Sequence, residues 1–408
     1  MMKQPGVWLA AVSALIFILI APVVQPPWFL SIMVIVVSIL LYSFEKTKYI
    51  SYAMIAIALL YGLSILPLLI FSATLAIITF GELVFRETGG SAASYIAYIA
   101  AAAVSCSLIM LYLHDPAPLT ILFGILVAVL LKAILRERPD ALMIEALGIA
   151  MTMLLIEELH FQAELSLILL AVGIAFGFGY FSYRLGTSDL SGLFSVALIG
   201  IILIVFADVT WFLVMLVFFI VASACTRYRF RDKEEMGVEQ SQGGARGYRN
   251  VFANGVVSAA AAVLYGVTTV TPDPFITSLQ PAFLALFIGS VATAAADTVA
   301  SEIGMTVGPA YLITSGKQVP AGTNGGITLL GEMAGLVGSV IVVVTAYLLG
   351  VIDSSLLLIG IGAGFVGTNI DSVIGAVIEN RGWIGNAGTN LLATLGGGLC
   401  SLALYLLA

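Results

Sequence analysis

The sequence predicts an all-α protein built as a polytopic transmembrane bundle, and three observations carry that reading. Apolar residues make up 61% of the chain and charged residues 10%, where soluble domains carry roughly a quarter charged. Mean hydropathy is +1.12. Apolar runs close to the ~20 residues that cross hydrocarbon recur from Val7 to the C-terminus. In lipid such runs satisfy their backbone groups internally, as helices. A water-soluble function class is thereby excluded.

Taken in order, the spans fall at about 7 to 23, 27 to 43, 49 to 68, 70 to 85, 92 to 113, 117 to 135, 141 to 156, 163 to 182, 191 to 207, 210 to 225, 251 to 270, 281 to 297, 327 to 349, 355 to 375 and 387 to 407. That is fifteen helices, good to about two, so about 13 to 15 spans are expected. The first run ends in Pro26-Pro27-Trp28 rather than a small-residue cleavage site, so it reads as an uncleaved span. Alternation places Lys46, Lys48, Arg86, Lys132, Arg136, Arg138, Arg184, the 226 to 250 loop, Lys317 and Arg381 on the side of Lys3. The positive-inside rule makes that side, and the N-terminus, cytoplasmic, with the protein in the cell membrane. Net charge is -7, but sidedness carries more information than the sum. Cys106, Cys225 and Cys400 lie far apart in apolar segments and read as packing residues.

Residues 1 to 185 form a helical scaffold with little chemistry, apart from Glu82, Arg86 and Glu87 at one end and Glu157, Glu158, His160 and Glu164 at another. Glu157 and His160 have the Glu-x-x-His spacing of carboxylate-bridged metal bundles, but those need two such motifs, so a solvated helix end is expected. Residues 186 to 408 form the catalytic transmembrane domain. Its one long polar stretch, Thr226 to Asn250, holds six of the sixteen Lys and Arg residues. A connector held at an anionic leaflet explains them, while Arg246 and Arg249, with Asn254 just inside the next span, are candidates for binding phosphate.

From residue 289 carboxylates enter apolar runs. Asp297 and Asp371 fall near the cytoplasmic ends of their spans, and Glu302 follows Asp297 by five residues. An ionisable residue in a span is costly and therefore a functional candidate. Five residues rotate about 140° on a helix, so Asp297 and Glu302 share a face only if the helix ends or bends between them. Gly304, Gly308 and Pro309 suggest such an ending. Gly-Thr-Asn occurs three times, at 322 to 324, 367 to 369 and 388 to 390, each at the same end of a span. Helix capping is the structural alternative. The functional reading is an anion nest of backbone N–H groups around Gly325 and Gly326, with Ser301, Lys317, Gly322, Thr323, Asn324, Asn369, Ser372, Asn386 and Asn390 as further phosphate or substrate contacts. Asp297, Glu302 and Asp371 suit a hard divalent cation, since Mg²⁺ typically takes one or two carboxylates plus phosphate oxygens.

These blocks resemble the integral membrane family that contains plant phytyl-phosphate kinase of vitamin E synthesis, vertebrate transmembrane protein 19 and many archaeal and bacterial members. The resemblance spans roughly 220 to 408. It rests on the polar loop with Arg246, Asn254 and Gly255, on DTVASEIG at 297 to 304, on VPAGTNGGIT at 319 to 328, and on DSVIGA at 371 to 376 with the Asn386 to Asn390 stretch. Val299 stands where the family often has Trp, and Asn369-Ile370 where a small or Ser-containing pair is usual. The resemblance implies a Mg²⁺-dependent kinase that moves a phosphoryl group from CTP or ATP to an isoprenyl monophosphate (phytyl or geranylgeranyl phosphate), giving the diphosphate. Its implied partners are the nucleoside triphosphate, the prenyl lipid and the membrane, with no nucleic acid. The alternatives are another lipid-phosphate transferase, of cytidylyl- or alcohol-phosphotransferase type, and an ion-coupled transporter, which also uses broken helices and buried carboxylates.

The charge pattern makes a topological prediction. Cysteines introduced at 46, 137, 240, 318 and 382 should react with an impermeant maleimide from the cytoplasmic side only. Outward labelling at 240 or 318 contradicts the assigned orientation.

Overall fold

The computed structural model describes residues 5 to 136, 138, 140 to 235, 237 and 245 to 408. Lys3, the labelling positions 137 and 240, and most of the middle of the polar loop therefore lie outside the described residues. The chain divides into two compact units, Met1–Leu165 and Ser166–Ala408.

The first unit contains α1 (Pro5–Ile20), α2 (Pro27–Leu41), α3 (Lys48–Gly62), α4 (Leu68–Ala76), α5 (Glu82–Glu87), α6 (Ala92–Leu113), α7 (Pro118–Ile134) and α8 (Ala141–Glu158). The second contains α9 (Leu165–Arg184), α10 (Leu190–Phe206), α11 (Val209–Arg227), α12 (Phe230–Glu235), α13 (Tyr248–Val270), α14 (Pro274–Thr277), α15 (Gln280–Gly304), α16 (Leu329–Leu348), α17 (Ser355–Val377) and α18 (Asn386–Leu407). Because α4 and α5 run on through a π-helical turn at Ile77–Gly81, and α12 and α14 are short, these reduce to fifteen long helices among the described residues. Nine of them are long and apolar enough to cross a membrane. The all-α membrane architecture stands.

Local sequence explains the helix starts. Proline occupies the first position of α2 and α7, where its missing N–H is not needed. Asp189 accepts from Gly192 N at 2.7 Å and Thr328 accepts from Gly331 N at 3.0 Å, capping α10 and α16. Between α15 and α16 lies a feature the apolar pattern does not signal, a three-stranded antiparallel sheet of order β2-β1-β3. Its strands are β1 (Ala310–Leu312), β2 (Gln318–Val319) and β3 (Gly326–Ile327), with Tyr311 opposite both Gln318 and Ile327. Strands of two or three residues are too short for any alternation to show.

The second unit is organised around α15, which packs against α11, α13, α16, α17 and α18. Its neighbours meet it through small residues. A Cβ on Gly335 of α16 would lie 2.9 Å from the Ala296 carbonyl, one on Gly338 3.0 Å from that of Ala295, and one on Gly364 of α17 3.0 Å from the Ala292 backbone. On α16 the large side chains Leu329, Met333, Leu336 and Val337 are exposed, whereas Gly331, Gly335, Gly338 and Ser339 are buried. Small residues inside and large ones outside is the pattern of helices packed in lipid, where backbones must approach closely to gain contact.

Three expectations change. Helix α15 does not end between Asp297 and Glu302 but continues to Gly304, so the two carboxylates stay on different faces. Asp297 and Asp371 lie seven and six residues inside the ends of α15 and α17, roughly 10 Å from those ends rather than within a turn. Gly367–Thr368–Asn369 likewise sits within α17 rather than at a terminus.

Candidate functional site

Close packing at α15 creates a polar cavity at its C-terminal half. Gly367 of α17 lies against Thr293, one turn before Asp297, and that contact brings the next α17 side chains to Asp297. Thr368 Oγ1 donates to Asp297 Oδ1 at 3.5 Å. The Asp297 and Asp371 carboxyl groups face each other, yet among the described residues the buried Asp371 Oδ1 has no partner. Two facing carboxylate acceptors need a proton or a cation between them.

The cavity measures about 360 Å³ and is lined on one side by Asp297, Ala300, Ser301 and Gly304 of α15. The opposite wall comes from Glu332 of α16, from Thr368, Asp371, Ser372 and Gly375 of α17, from Glu379 and from Asn386. Its roof is the loop from Ala321 to Thr328. That loop sits directly on α17. Gly325 has φ +77, and a Cβ there would strike Ala376 and the Ser372 carbonyl, so only glycine fits. Asn380 Nδ2 donates to Asn324 O at 3.2 Å and Ile313 N to Gly325 O at 2.9 Å, tying the loop to α17 and to the small sheet.

Four carboxylates thus line one cavity, and none of its described lining residues is Lys, Arg or His. Two of the four, Glu332 and Glu379, are not among the residues singled out from the sequence. Glu332 accepts from Asn369 Nδ2 at 3.2 Å, and Glu379 accepts from Thr389 Oγ1 at 2.8 Å. A signal for Glu332 was present: a carboxylate four residues after the capping Thr328, facing the helix dipole's positive end inside an apolar run. Glu379 lies in the short 3-10 turn Glu379–Arg381 just past the end of α17, eight residues after Asp371.

The predicted site residues separate into groups. Asp297, Ser301, Gly322, Thr323, Asn324, Gly325, Gly326, Asp371, Ser372 and Asn386 all line the cavity. Asn369 stands behind it on Glu332, and Asn390 is buried one turn into α18 with its Oδ1 unpartnered. The Gly-Thr-Asn units therefore do not act alike: the first is cavity roof, the second packs α17 on α15 and supplies Thr368, and the third lies beyond the lining. None of the three supplies a side-chain cap.

Glu302 lies elsewhere. It is buried and ion-paired to Lys233 Nζ at 2.7 Å, and Lys233 also donates to the carbonyls of Cys225 and Thr226 at 2.9 and 3.3 Å. The pair pins α12 and the end of α11 to α15. Arg246 is buried beside it, donating to Thr226 Oγ1 at 3.3 Å, and lines a separate apolar slot with Asn254. Burial draws its guanidinium down to about 10, so it remains a cation at neutral pH. Arg249 is exposed and donates to Tyr248 at 3.2 Å, and Lys317 is exposed in the turn between β1 and β2. Among the described residues no group of three or more His, Cys, Asp and Glu is arranged to hold a metal ion by itself.

Residues 173–398 match the integral membrane protein family DUF92. The chain belongs to this family. The matched stretch lies wholly in the second unit and holds the cavity, consistent with the resemblance read in the sequence. Among DUF92-like relatives, an uncharacterised membrane protein of Synechocystis is 33% identical over 208 residues, 49% of this chain and 77% of its own. Protein PGR of Arabidopsis thaliana is 30% identical over 233 residues, covering 53% and 80%. The chloroplastic protein VTE6 of the same plant is 30% identical over 185 residues, covering 44% and 54%. No solved structure matches the chain.

The geometry predicts a structural role for Glu302. Glu302→Gln and Lys233→Met should each lower stability in detergent, by about 3–5 kcal/mol, because each strands a buried charge, and the double variant Glu302→Met/Lys233→Met should recover most of the loss. A Glu302→Gln protein that melts like the parent contradicts this.

Proposed function

We propose that the chain is a Mg²⁺-dependent kinase of an isoprenyl monophosphate, transferring a phosphoryl group from CTP or ATP to give the diphosphate, with the cavity open to the cytoplasm. The observation that carries the reading is the carboxylate pair of Asp297 and Asp371, the second with a buried, unpartnered Oδ1, under a glycine-rich backbone loop in one cavity. The family resemblance supplies the substrate class.

The donor set fits Mg²⁺. It is all oxygen, two carboxylates face each other, and the buried Asp371 Oδ1 lacks any protein donor. A cation of this kind keeps positions for phosphate oxygens, so two protein carboxylates suffice. When bound, Mg²⁺ would neutralise charge on the phosphoryl groups in transfer.

The chain's own residues define the rest. Four carboxylates would repel a triphosphate, which makes binding of the free nucleotide unfavourable and selects the cation complex. Backbone N–H groups of the Gly322 to Gly326 loop are suited to phosphate oxygens, and Asn324, Ser301, Ser372 and Asn386 add neutral donors that hold orientation without further charge. Glu332 and Glu379, each held by one hydrogen bond, set the negative potential of the wall. In phosphoryl transfer, positioning and charge stabilisation carry most of the catalysis.

Purified protein given Mg²⁺, CTP or ATP, and geranylgeranyl monophosphate should form the diphosphate. Asp297→Asn and Asp371→Asn should each lower the rate at least about a hundredfold while the protein stays folded and extractable, since each removes charge and not volume. Near-parental turnover at limiting Mg²⁺ in either variant removes that residue from the site.

A further inference from the structure

Helices α16 and α17 stand side by side over α15, and they are tied to each other at two separate levels. Toward the middle of the bundle Ser339 Oγ donates to Ile361 O at 3.2 Å, and Gly364 lies against the same hydroxyl. At the end of α16 nearer the glycine-rich loop, Asn369 Nδ2 donates to Glu332 Oε2 at 3.2 Å and to Phe365 O at 2.9 Å. Glu332, Leu336 and Ser339 follow one another at spacings of four and three, and Phe365 precedes Asn369 by four, so Leu336 and Phe365 fall on the facing sides between the two ties. Glu332 and Ser339 are seven residues apart, about 10 Å along the helix axis. Over that height Leu336 is 40% and Phe365 38% exposed.

The floor between the two ties is the part of α15 that carries the acidic cavity. Gly335 packs on the Ala296 carbonyl, and Thr368 donates to Asp297 at 3.5 Å. Glu332 and Thr368, at the edges of this stretch, also line the cavity. The outer faces of the two helices are otherwise apolar, with Met333, Val337 and Val366 exposed. A carboxylate and an amide tied across such a face are costly in hydrocarbon. Packing does not call for them, because Gly335, Gly338 and Gly364 already hold both helices on α15. The pair instead frames an approach from the lipid side to a polar, acidic interior. A water-soluble ligand has no use for that route, whereas a molecule with a phosphate head and a hydrocarbon chain does.

We propose that the groove between α16 and α17 is the lateral entrance for a lipid phosphate, whose head passes to the cavity beside Asp297 and Asp371 while its chain stays between Leu336 and Phe365, in contact with the bilayer. The Glu332–Asn369 hydrogen bond is the rim of that entrance on the loop side. The inference rests on the cavity being a cation–phosphate site, because four carboxylates accept a phosphate head only with a cation among them. Head and nucleotide then share one cavity, the loop side being left to the triphosphate, as transfer between the two requires. Leu336 and Phe365 touch the chain alone, so they determine which lipids enter and take no part in the chemistry.

The test uses full-length protein in lipid nanodiscs with Mg²⁺ and two probes that carry the same diazirine on the first isoprene unit, geranylgeranyl monophosphate and geranylgeraniol. Crosslinks are mapped by mass spectrometry. The phosphate probe should label residues 333 to 337 and 365 to 369 at least about tenfold more than the alcohol does, since only the phosphate has a head to anchor in the cavity. Leu336→Trp, whose added bulk lies in the groove and not in the core, should abolish that enrichment. Phe365→Trp should do the same from the other wall and serves if Leu336→Trp does not fold. Leu348→Trp, exposed at the far end of α16, should label like the parent. Equal labelling by the two probes, enrichment that survives both groove variants, or enrichment lost equally in Leu348→Trp overturns the proposal. Enrichment at the groove in a protein that forms no diphosphate upholds the entrance and removes the kinase reading. Diphosphate formation without enrichment keeps the kinase and overturns the entrance.

Discussion

Close backbone approach at α15 is the constraint on which the second unit depends. In hydrocarbon there is no hydrophobic gain from pressing one apolar helix onto another, so association must come from contact and from polar groups finding partners. Gly335 and Gly338 on α16, and Gly364 and Gly367 on α17, let two helices lie against the α15 backbone. The same proximity places Thr368 and Asp371 opposite Asp297. The packing and the site are thus one arrangement: bulk at Gly367 would push away both Thr293 and the carboxylate pair.

Buried charge in the protein follows two patterns. In the first unit Lys132 pairs with Glu82 at 2.8 Å and with Glu145 at 2.9 Å, while Arg86 also pairs with Glu82. Two cations match two anions there, and Lys132 sits 5.1 Å from the ring centres of Phe85 and Tyr98. Such a closed network needs no ligand. In the second unit four carboxylates line one cavity, with no Lys, Arg or His among its described lining residues. An uncompensated set of buried carboxylates is the feature that marks the cavity as a candidate site.

Much of this was legible in the sequence because membrane helices declare themselves by length and apolarity. The fifteen long helices follow the apolar runs, including the short ones near 70 to 85 and 141 to 156. Asp297 and Asp371 stood out because ionisable groups in apolar runs are costly, Asn324 through the repeated Gly-Thr-Asn tripeptide and Asn386 through the polar stretch that carries the family resemblance. Glu302 stood out for the same reason, and there the reason misleads: a buried carboxylate is explained as well by a partner such as Lys233, which lies 69 residues away in sequence. Glu332 and Glu379 were passed over because a carboxylate near a helix end looks solvated until its neighbours are known. Pairing across distant helices is set by glycine contacts whose spacing does not reveal the partner.

The proposed function requires the cavity to hold a divalent cation together with a nucleotide. Mn²⁺ binding followed by electron paramagnetic resonance, with the detergent-purified protein as it stands, tests it without relying on turnover. Adding CTP or ATP should strengthen Mn²⁺ binding in the parent at least about tenfold, and Asp371→Asn should abolish the nucleotide-dependent signal. Mn²⁺ bound equally by parent and variant, with or without nucleotide, would contradict it.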